Sequence, residues 1–339
     1  MLQTDRQTDR QTDRQTDRQT DRQTDRWAGI DICKFLMAIF VIAIHTHPVA
    51  QEGTGYYFYQ GTVALAVPFF FIASGFMLGL HINFEDKQSI QNNLAAYGKK
   101  IFLLYCKWSL YYLPLAIMEY TKRGSTLIRS ILSYIIGFLF VGEHYNSWHL
   151  WYLLSLCISI VLIYLMYLLS ISFRNMIFIS AFIYLAAVSI TYLITLDTNN
   201  LVLMLYEKIF GTGRLWTGLL YVTIGLYWSK HKIVIYKPIA VLLVLVGIFG
   251  KFFFYHISPA ADIFTAVGAV ALFDICSNIR LNAILNFKIF RKMSTYMYFM
   301  HMYIWTFYTY IILRKPDKYG LDSFLFTTIV SILIAFMIY

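Results

Sequence analysis

Apolar residues in this chain come in long unbroken runs separated by short polar stretches, rather than in the two-residue alternation of half-buried strands. Runs long enough to cross about 30 Å of hydrocarbon as helices fall near residues 30–48, 61–80, 99–119, 149–169, 175–195, 214–229, 238–254, 260–276, 293–313 and 322–338. A shorter run, 126–141, carries Arg129. The pattern predicts an all-α protein, a polytopic membrane helix bundle of about ten transmembrane helices. Charge decides how the short run is treated. If 126–141 does not cross, the loops with Lys230, Lys232 and Lys237, with Arg280, Lys288, Arg291 and Lys292, and with Lys87 all lie on one side. Basic loops favour the cytoplasm. The expectation is therefore ten crossings in a bacterial inner membrane, both termini cytoplasmic, with 126–141 re-entrant or lying at the outer surface.

The polar positions inside the first run are the next signal. Lys34 and His45 have ten residues between them. Eleven helical steps come to about 20° past three full turns, so the two side chains share one stripe, about 16 Å apart along the axis. Asp31 falls within about 40° of it. Ionisable residues on one face of a membrane helix are costly and mark a functional site by default. The plainer alternative is that Asp31 and Lys34 sit at the water interface and His45 caps the far end. His47 is about 200° from His45, so the pair does not form one ligand face.

Ahead of the first run, residues 3–26 are six copies of Gln-Thr-Asp-Arg. Each copy is neutral and has no apolar residue, so the segment 1–27 is expected to be a disordered low-complexity tail. Gln-Thr-Asp-Arg can be encoded CAG ACA GAC AGA, a repeated four-base unit that reads through without a stop in any frame. Such tracts slip in replication, which points to phase-variable expression, with a functional charged tail as the alternative.

Composition agrees with a membrane chain: 59% of residues are hydrophobic, 14% charged, and the net charge is +10. The basic residues gather in loops and no basic-aromatic motif is present, so no nucleic-acid partner is expected. Cys33, Cys106, Cys157 and Cys276 are scattered, with no CxxC and no zinc spacing. They read as buried free thiols, and no metal is expected. No cleavable signal peptide is expected either.

The second run reads Pro68-Phe-Phe-Phe-Ile-Ala-Ser74-Gly75-Phe-Met-Leu-Gly79. The Gly75/Gly79 spacing lets another helix approach closely. Taken together, Asp31-x-x-Lys34-x10-His45 followed by Phe-Phe-Phe-Ile-x-Ser74-Gly75 resembles the acyltransferase 3 family of membrane O-acyltransferases. The resemblance continues in Lys99-Lys100-Ile-x-x-Leu-Tyr, in His149-Leu-Trp151-Tyr-Leu, in Arg214 ahead of Gly225, and in Ser294-Thr-Tyr-x-Tyr298-x-x-His301. It covers roughly residues 28–339 as one transmembrane domain. This chain departs from the pattern with Lys34 where Arg is commoner and Leu215 where Asn is expected.

The resemblance implies transfer of an acyl group, usually acetyl, from cytoplasmic acyl-CoA to a hydroxyl of a bacterial cell-surface glycan such as lipopolysaccharide or capsule. Acetyl-CoA would be a donor substrate rather than a bound cofactor. The acceptor would be the glycan or a lipid-linked oligosaccharide, with membrane lipid around it. A sugar hydroxyl needs a positioned base, and histidine suits that task near neutral pH. His45 is the candidate, as base or as transient acyl carrier. Lys34, Lys99 and Lys100 are candidates for the donor's phosphates, and Lys34 also for pairing with Asp31. Lys99 and Lys100 equally suit the positive-inside rule. Ser74 and Gly75 are supporting residues, Ser74 more as a packing hydroxyl than a nucleophile. Arg214 binds an anion or anchors the interface, and His301 is a second site residue or a hydrogen-bonded bundle histidine. The competing reading is a non-enzymatic flippase or transporter of lipid-linked sugars, a class that usually shows two pseudo-symmetric halves. The chain shows no internal symmetry.

Overall fold

The computed structural model describes residues 27–211, 213–279 and 287–338. The repeat tail and Arg280 lie outside the described residues. The chain forms α1 (Ala28–Thr46), α2 (Gly53–Val63), α3 (Ala66–Gly79), α4 (Lys87–Lys122), α5 (Leu127–Ile136), α6 (Trp151–Leu168) and α7 (Phe173–Leu196). It continues with α8 (Leu201–Phe210), α9 (Gly218–His231), α10 (Lys237–Phe253), α11 (Ser258–Asn278), α12 (Lys288–Phe307) and α13 (Leu321–Ile338). No strand occurs among the described residues, and the all-α bundle is as the apolar runs predict.

Every one of the ten predicted runs contains a helix. Seven helices among the described residues are long and apolar enough to cross a membrane, with α2 and α3 together forming one of them, Gly53–Gly79. The other three runs fall short for physical reasons. α9 has 14 residues and α10 has 17. α12 begins with Lys288, Arg291 and Lys292, which lower its apolarity.

The short run 126–141 folds back on its neighbour. After α4 ends, α5 and the π-helical turn Gly137–Val141 run antiparallel along it. Tyr120 Oη donates to Ser133 Oγ, Tyr134 Oη to the Ser109 carbonyl, and Tyr105 Oη to the Phe138 carbonyl. α6 then starts beside the second half of α4, with His149 against Tyr112. The segment thus forms a hairpin with the second half of α4. Gly142 closes it at φ +80°, where an added Cβ would come within 2.7 Å of Trp151 Cα. α8, which the apolar runs did not predict, has no buried residue and stands beside the hairpin.

Two faces fix the centre of the bundle. α1 lies between α12, α3 and α13, and α4 packs against α6. α3 also packs against α9, through glycines. An added Cβ on Gly75 would meet the Val222 carbonyl oxygen at 2.2 Å, and one on Gly225 would meet the Ile72 carbonyl oxygen at 2.1 Å. In lipid, helices gain little from burying apolar surface against each other, so close backbone approach and internal polar contacts do most of the joining. Gly225→Ala is expected to lower stability by about 1–3 kcal/mol, read as a lower unfolding midpoint in detergent. Gly55→Ala, whose new Cβ meets nothing within 4 Å, should show no loss. An unchanged midpoint for Gly225→Ala would contradict the contact.

Candidate functional site

The polar stripe of α1 faces the bundle. Asp31 is 1% exposed. Lys34 lines a cavity of about 180 Å³ together with Ser74 of α3, Tyr97 of α4, Tyr152 of α6, and Arg291 and Tyr298 of α12. Among the described residues no ion pair within 4 Å joins Asp31 to Lys34. Both lie within electrostatic reach of each other and of Arg291. Ser74 Oγ sits 2.8 Å from Tyr152 Oη and also meets Tyr97. It is held between two phenols, with no imidazole or carboxylate partner to activate it. Gly75 turns its bare side to α9 and lets α3 bring Ser74 to this wall.

The other end of the stripe enters a group of aromatic nitrogens. His45, in the last turn of α1, has its ring centroid 5.3 Å from His301, 6.4 Å from His149 and 6.3 Å from Trp148. His149 and His301 are 4.9 Å apart. His301 Nδ1 meets the Met297 and Tyr298 carbonyl oxygens at 3.1 and 2.7 Å. Carbonyls only accept, so Nδ1 carries the hydrogen and Nε2 carries the lone pair. That Nε2 is buried without a partner, as are both ring nitrogens of His149 and Nε1 of Trp305. Unpaired buried polar atoms are costly and call for a reason. Tyr298 stands between the Lys34 cavity and the histidines. It lines the cavity with Lys34, and its hydroxyl donates to the His149 carbonyl.

Beyond the histidines, Arg214 forms an ion pair with Glu143, lies over Trp151 at 5.2 Å, and acts electrostatically on His45. Burial pushes the Glu143 carboxyl up, and Arg214 opposes that. Lys99 and Lys100 are exposed and, with Lys107, line a separate groove of about 450 Å³ on the outside of α4. They do not line the Lys34 cavity; Tyr97, Ile101 and Leu104 present the facing side of α4 there. His47, just past α1, packs against Tyr319.

The structure therefore brings Lys34 and Ser74 together, and His45 and His301 together, while Lys99 and Lys100 stand apart. Several neighbours carry no signal in the sequence pattern. Arg291 read only as a loop cation, and His149 only as part of a Trp-Tyr-Leu element. Tyr152 and Tyr298 lie inside sequence motifs with no role of their own, and Tyr97 is indistinguishable in sequence from belt tyrosines. Among the described residues no group of three or more His, Cys, Asp or Glu is arranged to hold a metal ion.

Comparison with known proteins adds a family. The acyltransferase 3 family model, described as an acyltransferase domain, matches residues 27–339. Two curated proteins of Enterococcus faecalis, each named amino-acid racemase, are similar over part of the chain. One is 34% identical over 129 residues, 38% of this chain and 17% of that protein. The other is 35% identical over 166 residues, 46% of this chain and 22% of that protein. The chain thus matches about a fifth of the length of these relatives. No solved structure matches.

One group beside the site makes a pH prediction. His144 stacks on Tyr134 with ring centroids 3.9 Å apart, and burial lowers its pKa to about 4. An unfolded chain takes up that proton near pH 6.5, so stability is expected to fall as pH drops from about 6.5 towards about 4. The His144 share is at most about 3 kcal/mol. Thermal unfolding across that window should be less pH-dependent in His144→Gln; an identical slope would contradict a buried neutral imidazole.

Proposed function

The chain belongs to the acyltransferase 3 family, is a multi-pass membrane protein by its helices, and from that premise we propose that it is an O-acyltransferase moving an acetyl group from cytoplasmic acetyl-CoA to a hydroxyl of a cell-surface glycan. The observation that carries this reading is the pairing of a cation-lined cavity at Lys34 with a buried histidine group at His45, one tyrosine apart on one helix stripe. Lys34 and Arg291 suit the phosphates of a CoA donor. The pantetheine arm is long enough to follow α1 over the roughly 16 Å between Lys34 and His45. A cavity of about 180 Å³, lined by Lys34 and Arg291, opens at the start of that path.

At the far end His45 acts as the general base. The acceptor hydroxyl gives its proton to His45, its oxygen bonds to the thioester carbonyl carbon, and the carbon–sulfur bond breaks. The CoA thiolate leaves and the proton passes to its sulfur. His301, with the lone pair on Nε2, positions and polarises His45. Arg214, held by Glu143, keeps a positive charge near the developing oxyanion. The cationic end lies on the cytoplasmic side of a bacterial inner membrane, as do both termini. The repeat tract makes the protein phase-variable.

His45→Ala is expected to lower glycan acetylation by about 10²–10⁴-fold while the protein still inserts, measured by mass spectrometry of surface glycans. Full acetylation in that variant would remove the core of the reading and favour the flippase alternative. Lys34→Gln combined with Arg291→Gln is expected to raise KM for acetyl-CoA about tenfold, with a smaller change in kcat. An unchanged KM would contradict a phosphate role for these cations.

A further inference from the structure

A second and larger hollow opens beyond the histidine group. It is a cleft of about 840 Å³ between the α5 hairpin and α8, walled by Tyr120, Arg129, Glu143, Tyr145, Trp148 and Lys208. Its volume falls within the range of small-molecule sites and exceeds that of the Lys34 cavity more than fourfold, 840 against 180 Å³. Trp148 joins the two regions, since its ring lines the cleft and stacks on His45 at 6.3 Å with an interplanar angle of 22°. The cleft and His45 are thus linked through one side chain, Trp148.

The wall chemistry narrows the occupant. The wall carries aromatic residues, a carboxylate and hydroxyls, the groups that meet the C–H and O–H groups of a sugar. The charges do not cancel. Glu143 is engaged by Arg214. Arg129 and Lys208 come from opposite walls, and among the described residues neither makes an ion pair. The buried His144 also lines the cleft, with Nε2 unpartnered. A neutral sugar leaves two cations unused; an anionic one satisfies both.

We propose that this cleft is the acceptor site and that it takes an anionic saccharide, its carboxylate or phosphate held by Arg129 and Lys208 and its ring stacked at Trp148. The proposal rests on the acyl-transfer reading for its meaning, but it is tested by binding alone. The full chain in phosphatidylcholine nanodiscs is titrated with trigalacturonic acid and with the neutral maltotriose, followed by tryptophan fluorescence. Trigalacturonic acid is expected to bind at least about tenfold more tightly than maltotriose. The double variant Arg129→Gln with Lys208→Gln, both on exposed positions, is expected to lose that preference. Equal affinity for the two sugars, no binding of either, or parent-like trigalacturonic acid binding by the double variant would overturn the proposal. So would displacement of the probe when phosphatidylglycerol is mixed into the disc, which would make the occupant a lipid headgroup. The binding readout requires no acyl transfer, so failure of the catalytic reading and failure of this one are told apart.

Discussion

A polar side chain cannot rest against hydrocarbon, and this constraint organises the molecule around α1. Asp31, Lys34 and His45 share one face, so that face must turn inward and other helices must supply what it meets. α12 brings Arg291, Tyr298 and His301, α3 brings Ser74, and the turn before α6 brings His149. The glycine contact between α3 and α9 holds one wall of that arrangement at backbone distance. Helix packing and site assembly are thus one problem here.

The surroundings change in chemistry from one end of the stripe to the other. At Lys34 the space is narrow and cationic, with phenols along its side. Around His45 stand Trp148, His149 and His301, with both nitrogens of His149 and Nε2 of His301 lacking partners. Beyond Trp148 lies the cleft of about 840 Å³ between the hairpin and α8. A long thin donor and a broad acceptor meeting at a base would need these surroundings in this order. Tyr298 stands between the Lys34 cavity and His149, so a donor arm reaching His45 has to pass its ring.

Much of the architecture was legible in the sequence because lipid imposes a simple rule: long apolar runs become helices. All ten runs do so. The segment 126–141 folds back along α4, where tyrosine hydroxyls donate to backbone carbonyls. α8 was missed because a ten-residue apolar segment has no length signal. The Lys34–His45 stripe was readable because it lies within one helix, where spacing alone sets direction. Arg291, His149, Tyr97 and Tyr298 were not, because their meaning comes from which helices touch, and helix pairing leaves no period in the sequence. Lys99 and Lys100 show the converse: they precede an apolar stretch as expected, yet their helix turns them away from the Lys34 cavity.

The central claim is that one path along α1 carries the acyl donor from Lys34 to His45. The most direct measurement is a structure of the protein bound to a non-transferable thioether analogue of acetyl-CoA. The account predicts phosphates beside Lys34 and Arg291, the pantetheine arm passing Ser74, Tyr97 and Tyr152 with Tyr298 displaced, and the acetyl carbonyl beside His45. An analogue seated in the Lys99–Lys107 groove, or one whose carbonyl ends away from His45, would contradict it.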